Sequence, residues 1–227
     1  MQGGFGEYTR VDERSAIRLP ASLSLADGAL VEPLAVGHHG VDVATLRPGA
    51  RVLVLGAGPM GLATVFWARR RGAGAIAASA RSARRAAMAE NMGATAFVAQ
   101  GDDFPARAAA ALGGAPDVVF ECAGAAGLLA LAMECAGPRG GVVVVGMCST
   151  SELVVPVVGI AKELTLRFVV AYGARDFEAA VDTLDRGALE PRIMVTGTVS
   201  LDEFPIAFEA LRSPTDQCKV QVDPGRS

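Results

Sequence analysis

Arg51-Val52-Leu53-Val54-Leu55-Gly56-Ala57-Gly58-Pro59-Met60-Gly61 is the stretch on which the reading of this chain turns. A short apolar run of strand length passes without a break into G-x-G-x-x-G. The residues behind it read as an apolar to amphipathic helix ending near Arg69, Arg70 and Arg71, with Gly72 placed to cap it. Alone, the glycine pattern is a weak signal. Between a strand and a helix it points to a dinucleotide. Gly56 permits the tight turn, Gly58 lets backbone amides approach a pyrophosphate, and Gly61 lets helix and strand pack closely. Pro59 and Met60 open the helix beside the same phosphates. S-adenosylmethionine is a lesser competitor, because it has no pyrophosphate to use these glycines.

Outward from this unit the chain alternates strand and helix. Strands are predicted over 75–79, 96–98, 117–121, 141–146 and 164–171, and helices over 83–92, 104–112 and 128–136. Upstream, a helix is predicted over 30–45, stopped by Arg47-Pro48-Gly49. Such alternation implies an α/β fold, a doubly wound, parallel, six-stranded sheet of Rossmann type with helices on both faces. The two ends differ. Phe5 to Val11 alternates like a half-buried strand and Ala16 to Pro20 reads as a second extended piece. After residue 172 a helix is predicted over 176–186, a strand over 193–199, a helix over 201–211 and a last strand over 219–222. The expected division is a dinucleotide-binding domain over 36–189, flanked by β-rich parts of a second domain over 1–35 and 190–227.

Composition agrees with this class. Of 227 residues, 51% are hydrophobic, 5% aromatic and 27 are glycine, which suits a globular α/β protein with many tight turns. A net charge of −3 excludes a generally basic nucleic-acid binder. The N-terminus, from Met1-Gln2-Gly3 onward, has no basic stretch followed by an apolar one, and the apolar runs are strand-sized, so neither a signal peptide nor a membrane span is expected. The cysteines Cys122, Cys135, Cys148 and Cys218 form no C-x-x-C pair and read as buried free thiols of a cytoplasmic protein.

An NAD-binding unit carries an acidic residue about 20 positions past the glycine loop, to hold the ribose 2′-hydroxyl. Here the second strand ends in Ala78-Ser79-Ala80-Arg81-Ser82, with Ala80 where the carboxylate would stand. Arg81, Arg84 and Arg85 follow, and a guanidinium can pair bidentately with a 2′-phosphate. NADP(H) is therefore preferred over NAD(H), with Ser79, Arg81, Ser82 and Arg85 as its contacts. Arg84 and Arg85 also suit the solvated start of a helix.

With these residues in place the chain resembles the zinc-type medium-chain dehydrogenase/reductase superfamily, nearest its polyol and threonine dehydrogenase branches. Gly4-Phe5-Gly6-Glu7-Tyr8 is similar to a strand of that family, and Glu32-Pro33-Leu34-Ala35-Val36 with His39 to one of its helices. Glu121-Cys122-Ala123-Gly124 is similar to the segment that approaches the adenosine, and the run from Gly140 to Met147 to the strand whose end meets the nicotinamide. The resemblance implies cofactor contacts from Cys122, Ala123 and Gly124, from Val145, Gly146 and Met147, and from Val170 and Tyr172, with Lys219 reaching the pyrophosphate. It also implies that the flanking pieces are remnants of a GroES-like catalytic domain.

Nothing in the chain matches the family's cysteine ligand, its G-H-E segment or its four-cysteine loop. A catalytic zinc, which needs about three protein ligands, is expected to be absent, and no residue is assigned to a metal. Glu32, which lies beside the metal in the polyol branch, is a weak candidate base, and His39 suits helix packing better than proton transfer. The function implied is an NADP-dependent oxidoreductase interconverting a secondary alcohol and a ketone, a small-molecule substrate. The alternatives are a zinc-free homologue with a non-redox binding or partner role, or another reaction such as cyclisation or elimination. Residues 164–171, with Leu166, Phe168, Val169 and Val170, form an apolar edge, which predicts a homodimer through the sheet edge.

Overall fold

The computed structural model describes residues 4–213 and 216–226. Met1 to Gly3 of the N-terminal reading lie outside them. The apolar run that opens the motif is strand β1 (Arg51–Leu55), and all but Arg51 of it is buried. It pairs in parallel with β2 (Ala75–Ala80) on one side and β4 (Val118–Glu121) on the other. With β3 (Ala96–Ala99), β5 (Gly141–Val144) and β6 (Thr165–Phe168) the order is β3-β2-β1-β4-β5-β6, every neighbouring pair parallel. This is the doubly wound dinucleotide-binding order, reversing direction between β1 and β4.

Period-2 alternation divides β1 between two cores. Val52 and Val54 join Leu30 and Leu34 of α1 (Leu25–Ala44) and Leu62 and Phe66 of α2 (Pro59–Arg70). Leu53 and Leu55 join Phe104 and Leu112 of α4 (Phe104–Leu112) and Ala132 of α5 (Leu128–Cys135). Each fully buried Leu or Phe contributes about 1.5–3 kcal/mol. Between β2 and β3, a 3-10 turn at Ala83–Arg85 leads into α3 (Ala86–Asn91), so the helix predicted over 83–92 is divided.

Helix α1 begins at Leu25, not at residue 30, because Ser24 and Asp27 form a capping box there. It runs unbroken through Pro33, and the expected domain boundary after residue 35 falls inside it. Where Gly37 crosses α2, an added Cβ would lie 2.7 Å from Ala63, so the glycine sets how closely the helices approach. Trp67 donates Nε1–H to Leu34 O (2.8 Å) across the same contact.

Helix α6 (Pro156–Lys162) is absent from the sequence reading, since Val154-Val155-Pro156-Val157-Val158 carries no helical period. After β6 come α7 (Ala174–Asp185), a 3-10 turn at Glu190–Met194, β7 (Val195–Val199), α8 (Phe204–Ala210) and β8 (Lys219–Val222). The two last strands form a separate parallel pair, and Met194 just before them is fully buried in the larger core.

Three further expectations are corrected. Neither extended N-terminal piece is a strand: Phe5 to Val11 has no ladder partner among the described residues, and Tyr8 is 90% exposed. A lone extended segment cannot satisfy its backbone except with water, and Phe5 instead stacks on Phe204 (4.3 Å). The sixth strand stops at Phe168, and Ala171 beyond it has a left-handed φ of +51°. Of the four thiols only Cys122 and Cys135 are buried, and burial pushes both up to about 12; Cys148 and Cys218 are partly exposed.

Candidate dinucleotide site

The glycine loop lies at the carboxyl end of β1, where it turns into α2. Gly56 takes φ +109°, a backbone that an L side chain rarely adopts, and its N–H donates to Ser79 O (2.8 Å), tying the loop to β2. A Cβ on Gly61 would stand 1.7 Å from Gly56 O, so no other residue fits there. Gly58 is the N-cap of α2, Pro59 opens it, and among the described residues no side chain caps its N terminus. The positive end of a twelve-residue helix therefore faces the loop with no acidic residue in its first turn.

A cleft of about 970 Å³ opens at this end of the sheet. One wall is the loop, with Gly56 and Gly58; a second is the end of β2, with Ala80, Arg81, Ser82, Arg84 and Arg85; Cys122 and Ala123 after β4 form its floor. Seven residues predicted to bind cofactor thus meet in one place: Gly56, Gly58, Arg81, Ser82, Arg85, Cys122 and Ala123. A cavity of about 700 Å³ lies at the opposite ends of the strands, beside Gly49, Asp117, Gly141 and Thr165. Parallel sheets bind ligands at their carboxyl ends, and the cleft beside the glycine loop is the one placed for it.

The other predicted residues lie around the cleft without lining it. Pro59, Met60 and Gly61 form the first turn of α2 beneath the loop. Ser79 is fully buried, and its Oγ has no hydrogen-bond partner among the described residues. Gly124, Gly146 and Met147 bring the ends of β4 and β5 together: a Cβ on Gly146 would lie 2.2 Å from Gly124 N, and one on Gly124 2.7 Å from Met147 N. Val145 packs in the larger core beside Gly40, with its Cγ2 3.2 Å from a Cβ built there. Val170 is 81% exposed past the end of β6, and Tyr172 packs on Phe177 (5.6 Å). Lys219 is the first residue of β8, directly after Gln217 and Cys218 of the cleft wall.

The two catalytic candidates lie on α1. Glu32 is exposed, and its charge adds to burial in raising the Tyr172 pKa. His39 Nδ1 is 3.2 Å from Asp176 Oδ2 on α7, while His38 Nδ1 is 2.6 Å from Oδ1 of the same carboxylate. Both histidines thus tie α1 to α7.

Several site residues escaped the sequence reading. Glu121, 2% exposed at the end of β4, accepts from Ala123 N (2.7 Å) and Gly124 N (2.8 Å), and so holds the cleft floor in shape. Its signal was present, an acidic residue closing an otherwise apolar strand. Gln100, Leu211, Arg212, Ser213, Gln217 and Cys218 complete the cleft from distant parts of the chain, and no local pattern marks them. Arg85 lines the cleft as expected and has two protein partners besides. Its guanidinium donates to Ala57 O (3.1 Å) and to Gln217 O, bridging the glycine loop and the C-terminal segment.

Residues 59–186 match the zinc-binding dehydrogenase family. The chain belongs to that family. It is 34% identical over 225 residues to (R,R)-butanediol dehydrogenase of Bacillus subtilis, covering 98% of this chain and 64% of that protein. The crystal structure of 2R,3R-butanediol dehydrogenase from Bacillus subtilis superposes with a TM-score of 0.89 at 33% identity, over 98% of this chain and 65% of that one. A protein described as a zinc-binding dehydrogenase from Sinorhizobium meliloti 1021, bound to NADP, superposes with a TM-score of 0.87 at 33% identity, over 98% of this chain and 66% of that one. The chain therefore spans about two thirds of the length of these family members.

The residues present fit the two cofactors unequally. For a nicotinamide dinucleotide the glycine cradle is built, since a side chain at Gly61 would collide with it. For the metal in the family's name the residues do not fit: among the described residues no three or more His, Cys, Asp or Glu side chains are grouped to hold an ion. No described helix is long and apolar enough to cross a membrane.

Proposed function

We propose that this chain binds NADP(H) and belongs to an oxidoreductase that interconverts a secondary alcohol and a ketone. The observation that carries the reading is the end of β2, where Ala80 replaces the expected carboxylate and Arg81 and Arg84 line the cleft. A carboxylate there would accept the ribose 2′-hydroxyl and repel a 2′-phosphate; guanidinium groups reverse that preference. Butanediol dehydrogenase as a relative supports the alcohol substrate, and the NADP-bound neighbour supports the cofactor.

In this reading the loop from Gly56 to Gly61 and the uncapped N terminus of α2 hold the pyrophosphate. Arg81 and Ser82 hold the 2′-phosphate, and Cys122, Ala123 and Gly124 border the adenosine. Val145, Gly146, Met147, Val170 and Tyr172 border the nicotinamide, with Lys219 on the pyrophosphate side. The bound nicotinamide supplies or accepts hydride. Glu32 is the candidate to hold the alcohol proton, and its charge acting on Tyr172, a residue of the nicotinamide side in this reading, supports that role. The nucleotide-binding unit is proposed over 36–189 with parts of a catalytic unit over 1–35 and 190–227, and α1 runs across the first of these boundaries. The exposed β6 edge supports a homodimer, and four unpaired thiols support the cytoplasm.

Fluorescence titration tests the cofactor assignment. NADPH should bind about tenfold more tightly than NADH, or ~1.4 kcal/mol. Equal affinity removes the role given to Arg81. Loss of NADPH absorbance on adding small ketones tests the reaction.

A further inference from the structure

The cleft beside the glycine loop is lined by four arginines, Arg81, Arg84, Arg85 and Arg212, and by no carboxylate among the described residues. In a chain with 24 acidic and 21 basic residues, such a grouping favours an anionic ligand in the cleft. The arginines come from two places. Arg81, Arg84 and Arg85 follow β2, whereas Arg212 with Ser213 follows α8, more than a hundred positions later. Arg85 connects the two by donating to Ala57 O in the loop and to Gln217 O in the C-terminal segment.

We propose that the segment carrying Arg212 and Ser213 is a second wall of the adenosine 2′-phosphate subsite, with Arg212 as a specificity-determining residue and Arg85 as the positioning residue that holds the wall in place. The proposal rests on the NADP(H) reading above. A phosphate monoester presents three terminal oxygens, more than one guanidinium fork can satisfy, so donors from two sides suit it better than one. Arg212 can turn to the ligand at small cost, because its partner Glu209 (3.2 Å) is an exposed i,i+3 contact with side chains 67–77% exposed. Arg85, by contrast, is already committed to two carbonyl oxygens. Its loss should loosen the wall for every adenine dinucleotide, with or without the 2′-phosphate.

The test is calorimetric titration of the full chain and three variants, Arg212→Gln, Arg81→Gln and Arg85→Gln, with NADPH, NADH, adenosine 2′,5′-bisphosphate and AMP. Arg212→Gln should weaken NADPH and the bisphosphate about tenfold and leave NADH and AMP within about twofold. Arg85→Gln should weaken NADPH and NADH alike and speed amide exchange in the segment around Gln217. If Arg81→Gln abolishes the NADPH preference while Arg212→Gln keeps it, the second wall is wrong and the cofactor reading stands. If Arg85→Gln weakens NADPH alone, Arg85 contacts the phosphate itself and its positioning role is overturned. If the unmutated chain has no preference for NADPH, the cofactor reading falls and the second wall with it. Unchanged melting temperatures identify the variants as folded.

Discussion

Ser79 has its hydroxyl fully buried at the end of β2 with no hydrogen-bond partner among the described residues, on a strand whose neighbouring side chains are alanines. Desolvating a hydroxyl without compensation costs about 1–3 kcal/mol. Ser79→Ala removes that cost and leaves the backbone bond from Gly56 N to Ser79 O in place. The variant should be more stable by about 1 kcal/mol in urea unfolding, with NADPH affinity unchanged. A destabilised variant would mean that the hydroxyl has a bound partner in solution. A residue-by-residue reading of the sequence placed Ser79 near the cofactor because it stands at a strand end. The structure turns it inward, since the period-2 alternation that points Ala80 toward the cleft points Ser79 away from it.

Helix α1 is held at its start by one buried carboxylate. Asp27 accepts Ser24 N–H (3.1 Å) and Ser24 Oγ–H (2.7 Å) in the capping box, and both Nε (2.7 Å) and Nη2 (3.1 Å) of Arg192 from the 3-10 turn before β7. The Arg192 guanidinium is the largest cause of the lowered Asp27 pKa, opposed by burial and aided by Ser24. Because folding lowers this pKa, the unfolded chain takes up the proton first as pH falls. The stabilisation is complete above the unfolded carboxylate value and is lost as pH drops through the lower folded one. Asp27→Asn should cost about 1–2 kcal/mol at pH 7, discounted for the half-exposed Arg192, and the gap to the unmutated chain should close below pH ~4. Urea melts at several pH values measure this, and a gap independent of pH would exclude the ion pair as its source. Read from the sequence, this helix starts at residue 30 without use of the Ser24–Asp27 pair, and no local pattern marks Arg192, which lies 165 positions from Asp27.

At the scale of the whole molecule, one group of exposed apolar side chains lies on β6, α6 and the segments beside them. Met147, Leu153, Val157, Ile160, Phe168 and Val170 are all between 62% and 92% exposed, from β6, α6 and the segments beside them. An edge strand in such a surround is a hazard for pairing, and the homodimer proposed above would cover it by a two-fold contact. Analytical ultracentrifugation should give a concentration-dependent dimer. Phe168→Glu should shift it to monomer, since a carboxylate in an apolar contact costs several kcal/mol. A monomer at all concentrations, or a Phe168→Glu variant that dimerises as before, would place the contact elsewhere.

The sheet, its helices and the glycine loop were legible in the sequence because they depend on short-range regularities: apolar period, strand length, and glycines at positions where only glycine fits. Local pattern also located Arg81 and the missing carboxylate at Ala80. Tertiary structure alone decided what faces them. It brought Arg212, Ser213 and Gln217 to the cleft, turned Arg85 into a bridge, and left Phe5 to Val11 without a strand partner. These outcomes depend on which distant segments meet, and that is set by packing two cores against one sheet, which no window of neighbouring residues encodes.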